Sequence, residues 1–199
     1  MRVINEKYPN MAEISSEFLR AGKIISFPTD TVYALAADAS NFKAVEALYQ
    51  IKNRDQKKPI AIFVKDLDTA KKIFFFDKKA EEIAEKFLPG ALTLVLKTRD
   101  EATPSLASNL NKNSDNFLGF RVVDNFFTKE LFKKFDGILA VTSVNISGNA
   151  AITNSDEIKN IFPNIDLLIE GGISPQPAST VAKITDNKIT ILRQGPVIL

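Results

Sequence analysis

The 199-residue chain contains no cysteine and no histidine. Without cysteine it has no disulfide, no thiolate nucleophile and no thiolate-ligated metal. Without histidine it lacks the commonest general base and metal ligand, which removes Ser-His-Asp triads, HExxH zinc sites and most histidine-dependent phosphotransfer. No apolar run is long enough to cross a bilayer. The N-terminal stretch MRVINEKYPNMAEISSEFLR holds no uninterrupted apolar segment of the kind a secretory signal needs, so the expectation is a cytoplasmic protein with no membrane partner. A Walker A pattern, GxxxxGK[ST], is also missing, and any nucleotide must be bound without a P-loop. Chemistry is left to Lys, Arg, Asp, Glu, Thr, Ser and Asn. That set suits positioning and electrostatic clamping, typically of phosphates or activated carboxylates.

What is present is ordinary in bulk. Apolar residues make up 45% and charged residues 25%, as in soluble globular domains, and the length allows a substantial core. A formal net charge of +2 does not by itself argue for a large nucleic-acid surface. The phenylalanines, including IFFF at 73–76, are read as core.

Periodicity and punctuation predict helices over 11–20, ended by Gly22, over about 41–50 with Asn41 as its cap, near 67–73 and 78–87, over 127–135, and over 155–162. Strands are predicted over 23–28, 60–64, 118–123 and 137–145, in LPGALTLVLKT at 88–98, and in the closing segments DLLIEGG, STVAKIT and KITILRQG. Residues 100–116, rich in Asn, Ser and Asp, read as a long loop, a length that is often functional or mobile. Helices and strands mix without strict alternation. The fold class is therefore α/β (α+β), one domain over residues 1–199 with a twisted mixed sheet.

Polar clusters fall at strand ends or in the loops beside them, where ligand sites of open sheets gather. FPTDTVYALAAD places Thr29, Asp30 and Thr31 where a strand leaves the sheet, followed by small residues that allow close packing. Asp30 reads equally as a turn residue or a functional acid. KNRDQKK reads either as a solvated basic loop or as an anion site, with Arg54 as a planar fork and Lys52, Lys57 and Lys58 as point charges. TSVNISG lacks the GxSxG elbow of a serine nucleophile. It reads either as a strand-end turn or as a binding loop offering the Ser143 hydroxyl and the Asn145 amide. Arg121 lies inside an apolar strand. It either pairs with a buried carboxylate, for which a ligand is suitable, or points outward from a half-exposed strand. Tyr33 either packs in the core or lines the site.

FPTDTVYALAADA, IKNRDQKKPI, LPGALTLVL, TSVNISG, STVAKI and ILRQG occur in this order. Together they resemble the YrdC-like family of L-threonylcarbamoyl-AMP synthases, from about Lys23 to Gly195. The resemblance implies a concave, positively charged cavity on a twisted sheet. It implies a reaction in which L-threonine, bicarbonate and ATP give threonylcarbamoyl-AMP and pyrophosphate, with Mg²⁺ assisting. The product would pass to a tRNA threonylcarbamoyl-transferase complex that modifies the adenosine next to the anticodon, with tRNA itself a candidate contact. By the same carry-over Thr31, Arg121 and Thr180 would hold L-threonine, and Lys52, Arg54, Lys58, Ser143, Asn145 and Arg193 would hold ATP. Lys52 and Arg54 would act as a phosphate clamp, with no single residue assigned to catalysis and no protein-bound metal site. The chain departs from the family pattern with Ala34 in place of a usual Gly, with Asp55 after Arg54 and with Val144 between Ser143 and Asn145. Ending at Leu199, it resembles the short form of the family. The alternatives are a non-catalytic RNA- or ribosome-binding module on the same fold and, last, carbamoyl transfer as in hydrogenase maturation.

Overall fold

The computed structural model describes residues 1–99, 106–111, 116–146, 149–172, 174 and 177–199. Most of the 100–116 loop, and Ser147 and Gly148 of TSVNISG, lie outside the described residues. In chain order the strands are β1 (Arg2–Asn5), β2 (Ile25–Phe27), β3 (Ala34–Asp38), β4 (Ala61–Phe63), β5 (Leu92–Lys97), β6 (Phe117–Arg121), β7 (Leu139–Ser143), β8 (Leu167–Glu170), β9 (Thr180–Thr185) and β10 (Lys188–Arg193). They form one mixed sheet of spatial order β1-β8-β2-β3-β7-β4-β6-β5-β9-β10. The helices are α1 (Met11–Arg20), α2 (Phe42–Ile51), α3 (Leu67–Ile73), α4 (Lys78–Phe87), α5 (Phe126–Lys134) and α6 (Ser155–Ile161). No helix among the described residues is long and apolar enough to cross a membrane.

The helix starts follow from Asn and Asp side chains that satisfy the orphan amides of the first turn. Asn41 accepts from the Ala44 amide at 3.1 Å, Asp66 from Thr69 at 2.7 Å, Asp77 from Ala80 at 2.8 Å and Asn125 from Phe127 at 2.8 Å. Helix α1 ends as Gly22 enters the left-handed region at φ +70°.

Strand alternation then divides the core into two layers. Leu35, Ile62, Phe120, Leu92, Leu94 and Ala182 face one side, under α2, α3, α4 and α6. Phe120, fully buried, stacks on Phe74 with centroids 4.8 Å apart and tilts against Phe76 at 5.7 Å. On the other side Ile25, Phe27, Ala34, Ala36, Phe63, Leu139 and Val141 pack under α1 and α5. Fully burying each large side chain of this kind is worth about 1.5–3 kcal/mol. This second layer draws its sheet residues from β1, β2, β3, β4, β7 and β8 alone among the described residues. Beyond them, on β6, β5 and β9, the residues of the same face are Gly119 and Arg121, Thr93 and Val95, and Val181, and they line a cavity.

Three features depart from the sequence reading. Residues 34–38, noted only for their small side chains, form the central strand β3, with Ala36 and Ala37 fully buried between the two helix layers. Ala34 is not among the residues with positive φ, so the alanine in place of a family glycine carries no backbone strain. Residues 2–5 form β1, paired in parallel with β8. A strand of four residues with only Ile4 buried has too little alternation to be seen. Phe75 is 48% exposed rather than core, and the Arg99 guanidinium lies 4.6 Å from its ring centroid.

Candidate functional site

The uncovered half of the sheet face forms the floor of a cavity of about 400 Å³. Among the described residues its lining includes Arg54, Arg121 and Arg193 and no Asp or Glu. Gly119 on β6 keeps the floor low. A Cβ there would meet Thr93 Cγ2 at 3.3 Å and Ala61 Cβ at 3.5 Å.

The turn between β2 and β3 builds one wall. Thr29 Oγ1 donates to the Val32 carbonyl at 2.7 Å and accepts from the Thr31 amide at 3.0 Å, which fixes the turn through its own backbone. Thr31 Oγ1 accepts from Arg121 Nη1 at 2.8 Å, Asp30 Oδ1 accepts from Arg121 Nη2 at 2.5 Å, and the Gly90 carbonyl accepts from Arg121 Nε at 2.8 Å. Arg121, 3% exposed, therefore points into the protein, and the outward-facing reading is corrected. Strand β6 turns this side chain to the cavity face, and burial requires it to be paired. Burial pushes the Asp30 carboxyl up from its usual range, against the opposing pull of Arg121. Three of the five guanidinium N–H groups are committed to described residues.

The second wall comes from the loop after α2 and from the end of β7. Arg54 donates through Nε to the Lys58 carbonyl at 3.2 Å and through Nη2 to the Pro59 carbonyl at 2.9 Å, which leaves donors toward the cavity. Asp55 accepts from the Lys57 amide at 2.9 Å and closes the loop turn. Lys52 sits behind this wall. Its ammonium donates to Thr142 Oγ1 at 2.9 Å, the Ser143 carbonyl at 2.7 Å and Asn145 Oδ1 at 2.8 Å. Burial, reinforced by Arg54, lowers the Lys52 pKa to about 8. Ser143 Oγ donates to Asn145 Oδ1 at 2.7 Å, and the Asn145 amide holds the Ile146 and Asn149 carbonyls at 3.0 and 2.8 Å. Asn145 locks a turn in TSVNISG, and Ser143 lines the cavity.

The third wall is the β9–β10 end. Arg193 donates through Nε and Nη2 to the Ser179 carbonyl at 3.0 and 2.8 Å. Ser179 Oγ in turn lies 2.8 Å from Thr93 Oγ1.

Of the residues proposed from sequence, Thr31, Arg54, Arg121, Ser143 and Arg193 line the cavity together. Lys52 and Asn145 support Ser143 from behind. Lys58 is exposed and lends the site its backbone carbonyl. Thr180 is not among the residues lining the cavity. The strand pleat sends Ser179 and Val181 to the cavity and Thr180 to the opposite face, where its hydroxyl is held by the Gly195–Val197 backbone. Tyr33 does both: it is buried in the core with its hydroxyl donating to the Gly172 carbonyl at 2.8 Å, and it also lines the cavity. The sequence reading missed Thr93 and Gly119. A glycine inside an apolar strand often marks the close approach of a ligand, and that signal was available.

Residues 17–195 match the family model of the Sua5/YciO/YrdC proteins, which is described as telomere recombination. A putative threonylcarbamoyl-AMP synthase of Methanocaldococcus jannaschii is 34% identical over 194 residues, 96% of this chain and 89% of that protein. The threonylcarbamoyl-AMP synthase of Homo sapiens is 34% identical over 157 residues, 77% of this chain but 53% of that protein. Among solved structures, Sua5 of P. abyssi complexed with L-threonine superposes with a TM-score of 0.87 at 27% identity, over 98% of this chain and 57% of that one. The E. coli YciO structure gives a TM-score of 0.87 at 24% identity, over 98% and 93%, a likeness of fold. The chain thus spans nearly all of some relatives and about half the length of others.

Proposed function

The chain belongs to the Sua5/YciO/YrdC family, and from that premise we propose that it is an L-threonylcarbamoyl-AMP synthase, a nucleotidyltransferase using L-threonine, bicarbonate and ATP. The observation that carries this reading is the single cavity wall-to-wall arrangement of cations: Arg121 with Thr31 on one side, Arg54 with Ser143 on another, and Arg193 on a third. One carboxylate and one polyphosphate can be held there together, and the nearest acid, Asp30, is already paired.

The L-threonine carboxylate docks on the remaining donors of Arg121, as a planar fork suits. The threonine amine adds to bicarbonate, with loss of water, to give a carbamate. A carbamate oxygen then attacks the α-phosphorus of ATP. The new O–P bond forms as the bond to the β-phosphate bridge breaks, and pyrophosphate leaves. Arg54 and Arg193 neutralise the phosphate charge, and Ser143 orients it. Positioning and charge neutralisation carry such a transfer without a histidine base. Among the described residues no group of three or more His, Cys, Asp or Glu is placed to hold a metal. In this reading Mg²⁺ enters with the substrate, as MgATP. The product passes in the cytoplasm to a transferase complex that modifies tRNA. A walled cavity of about 400 Å³ suits small molecules and gives the RNA-binding alternative no support.

The test is an assay of purified protein with MgATP, L-threonine and radiolabelled bicarbonate. Pyrophosphate release and label in a threonylcarbamoyl adenylate should both depend on threonine and bicarbonate, and both should be lost in Arg54→Ala and Lys52→Ala. Folded wild-type protein that gives no product and no saturable ATP or threonine binding would sink the proposal.

A further inference from the structure

Arg193 reaches the cavity only because its strand is irregular. In β10, Ile191 pairs with Ala182, yet Arg193 pairs with Val181, so Leu192 is an extra residue in the ladder. Directly opposed residues share a face. Ala182 belongs to the core under α2–α4, whereas Val181 lines the cavity. Without the bulge Arg193 would follow Ile191 to the wrong side.

A bulge near a sheet edge needs something to hold it, and the chain beyond it supplies the fastening. Thr180 Oγ1 accepts from the Gly195 amide at 3.0 Å and from the Val197 amide at 3.1 Å, and donates to the Val197 carbonyl at 2.8 Å. Thr180 is fully buried, and these contacts occupy its hydroxyl as donor and acceptor. Gly195 lies so close beneath β9 that a Cβ would stand 2.4 Å from both the Ala178 carbonyl oxygen and the Thr180 amide nitrogen, and 2.6 Å from the Ser179 carbonyl carbon. The 194–197 return is thus seated directly under Ser179, the residue whose carbonyl takes two donors of Arg193.

We propose that Thr180, with Gly195, is a positioning residue for Arg193: it clasps the chain just past the bulge and holds the guanidinium over the phosphate side of the cavity, without touching a ligand. The identity of that ligand as MgATP rests on the function proposed above. A direct role for Thr180 in holding threonine makes the opposite prediction, so the two are separable by which Michaelis constant moves.

The experiment compares wild type, Thr180→Val, Thr180→Ser and Gly195→Ala in the synthase assay, varying MgATP and L-threonine in turn, with circular dichroism to confirm fold. Thr180→Val removes every hydroxyl contact at nearly constant volume. It should raise the KM for MgATP by about tenfold or more, with the KM for threonine within about twofold. Thr180→Ser should restore wild-type values, and Gly195→Ala should behave like Thr180→Val. A rise in the threonine KM alone, or no change in either constant, would overturn the proposal. So would loss of fold in both Thr180→Val and Gly195→Ala with Thr180→Ser intact, because the clasp would then serve the fold and not the site. Inactive wild-type protein would instead refute the synthase reading.

Discussion

Removing the carboxylate of Asp30 should expose how the Arg121 side of the cavity is balanced. Arg121 is 3% exposed at its side chain and Asp30 17%, and their ion pair is 2.5 Å long. Burial holds the Asp30 carboxyl above its usual range even beside a guanidinium. The pair as a whole is therefore not a net source of stability, and its cost appears when one partner is taken away. Asp30→Ala leaves a buried cation with only Thr31 and the Gly90 carbonyl as neutral acceptors. Breaking such a pair costs about 3–5 kcal/mol, and the lower end applies here because the cavity admits water. For a chain of this size about 3 kcal/mol corresponds to a fall in Tm of about 6–12 °C. Arg121→Met should cost a similar amount, by stranding Asp30. The double variant Asp30→Ala, Arg121→Met should cost less than the sum of the two, by about 2 kcal/mol in a urea-unfolding cycle. A cost below about 1 kcal/mol for Asp30→Ala, or additivity within about 0.5 kcal/mol, would refute the claim that the two charges are balanced against each other.

Lys52 should make stability depend on pH. Its pKa in the fold, about 8, lies below the ordinary 10.5. Below pH 8 both folded and unfolded chains carry the proton and the fold bears the full burial penalty. Between 8 and 10.5 the folded chain sheds it first, so this term favours folding increasingly as pH rises, by at most about 3 kcal/mol. Urea unfolding at pH 7.5 and at pH 9.5 should show wild type gaining on Lys52→Met, and parallel behaviour of the two would contradict the assignment. At Gly119 the prediction concerns space. Gly119→Val should fill the cavity floor against Thr93 and Ala61, leaving Tm within a few degrees while calorimetry shows loss of ligand binding. Retained affinity would mean that the ligand does not use this floor.

The site was legible in the sequence to the extent that its residues are chemically conspicuous. Arg54, Arg121 and Arg193 stand out because buried or strand-end cations need partners, and Thr31 and Ser143 because hydroxyls end apolar strands. Helix limits were readable for the same local reason, since Asn41, Asp66, Asp77 and Asn125 are caps whose action spans only a few residues. Thr180 shows what this reading does not reach. Its chemistry suggests a ligand contact, but a strand's period of two decides which face a side chain meets, and the register that sets that face comes from β5 and β10.

The sequence by itself determined the exclusions, the helices and most of the strands, and the roster of cations, because composition, capping and periodicity are local properties. Tertiary structure alone decided that the α1/α5 layer stops at β4, leaving half a sheet face open, that Lys52 braces a loop from behind, and that one extra residue at Leu192 turns Arg193 inward. The first two are outcomes of strand order and contact among segments far apart in the chain, which no single window of sequence holds. The third lies within two consecutive strands, but a bulge there is a matter of register, which side-chain pattern alone does not announce.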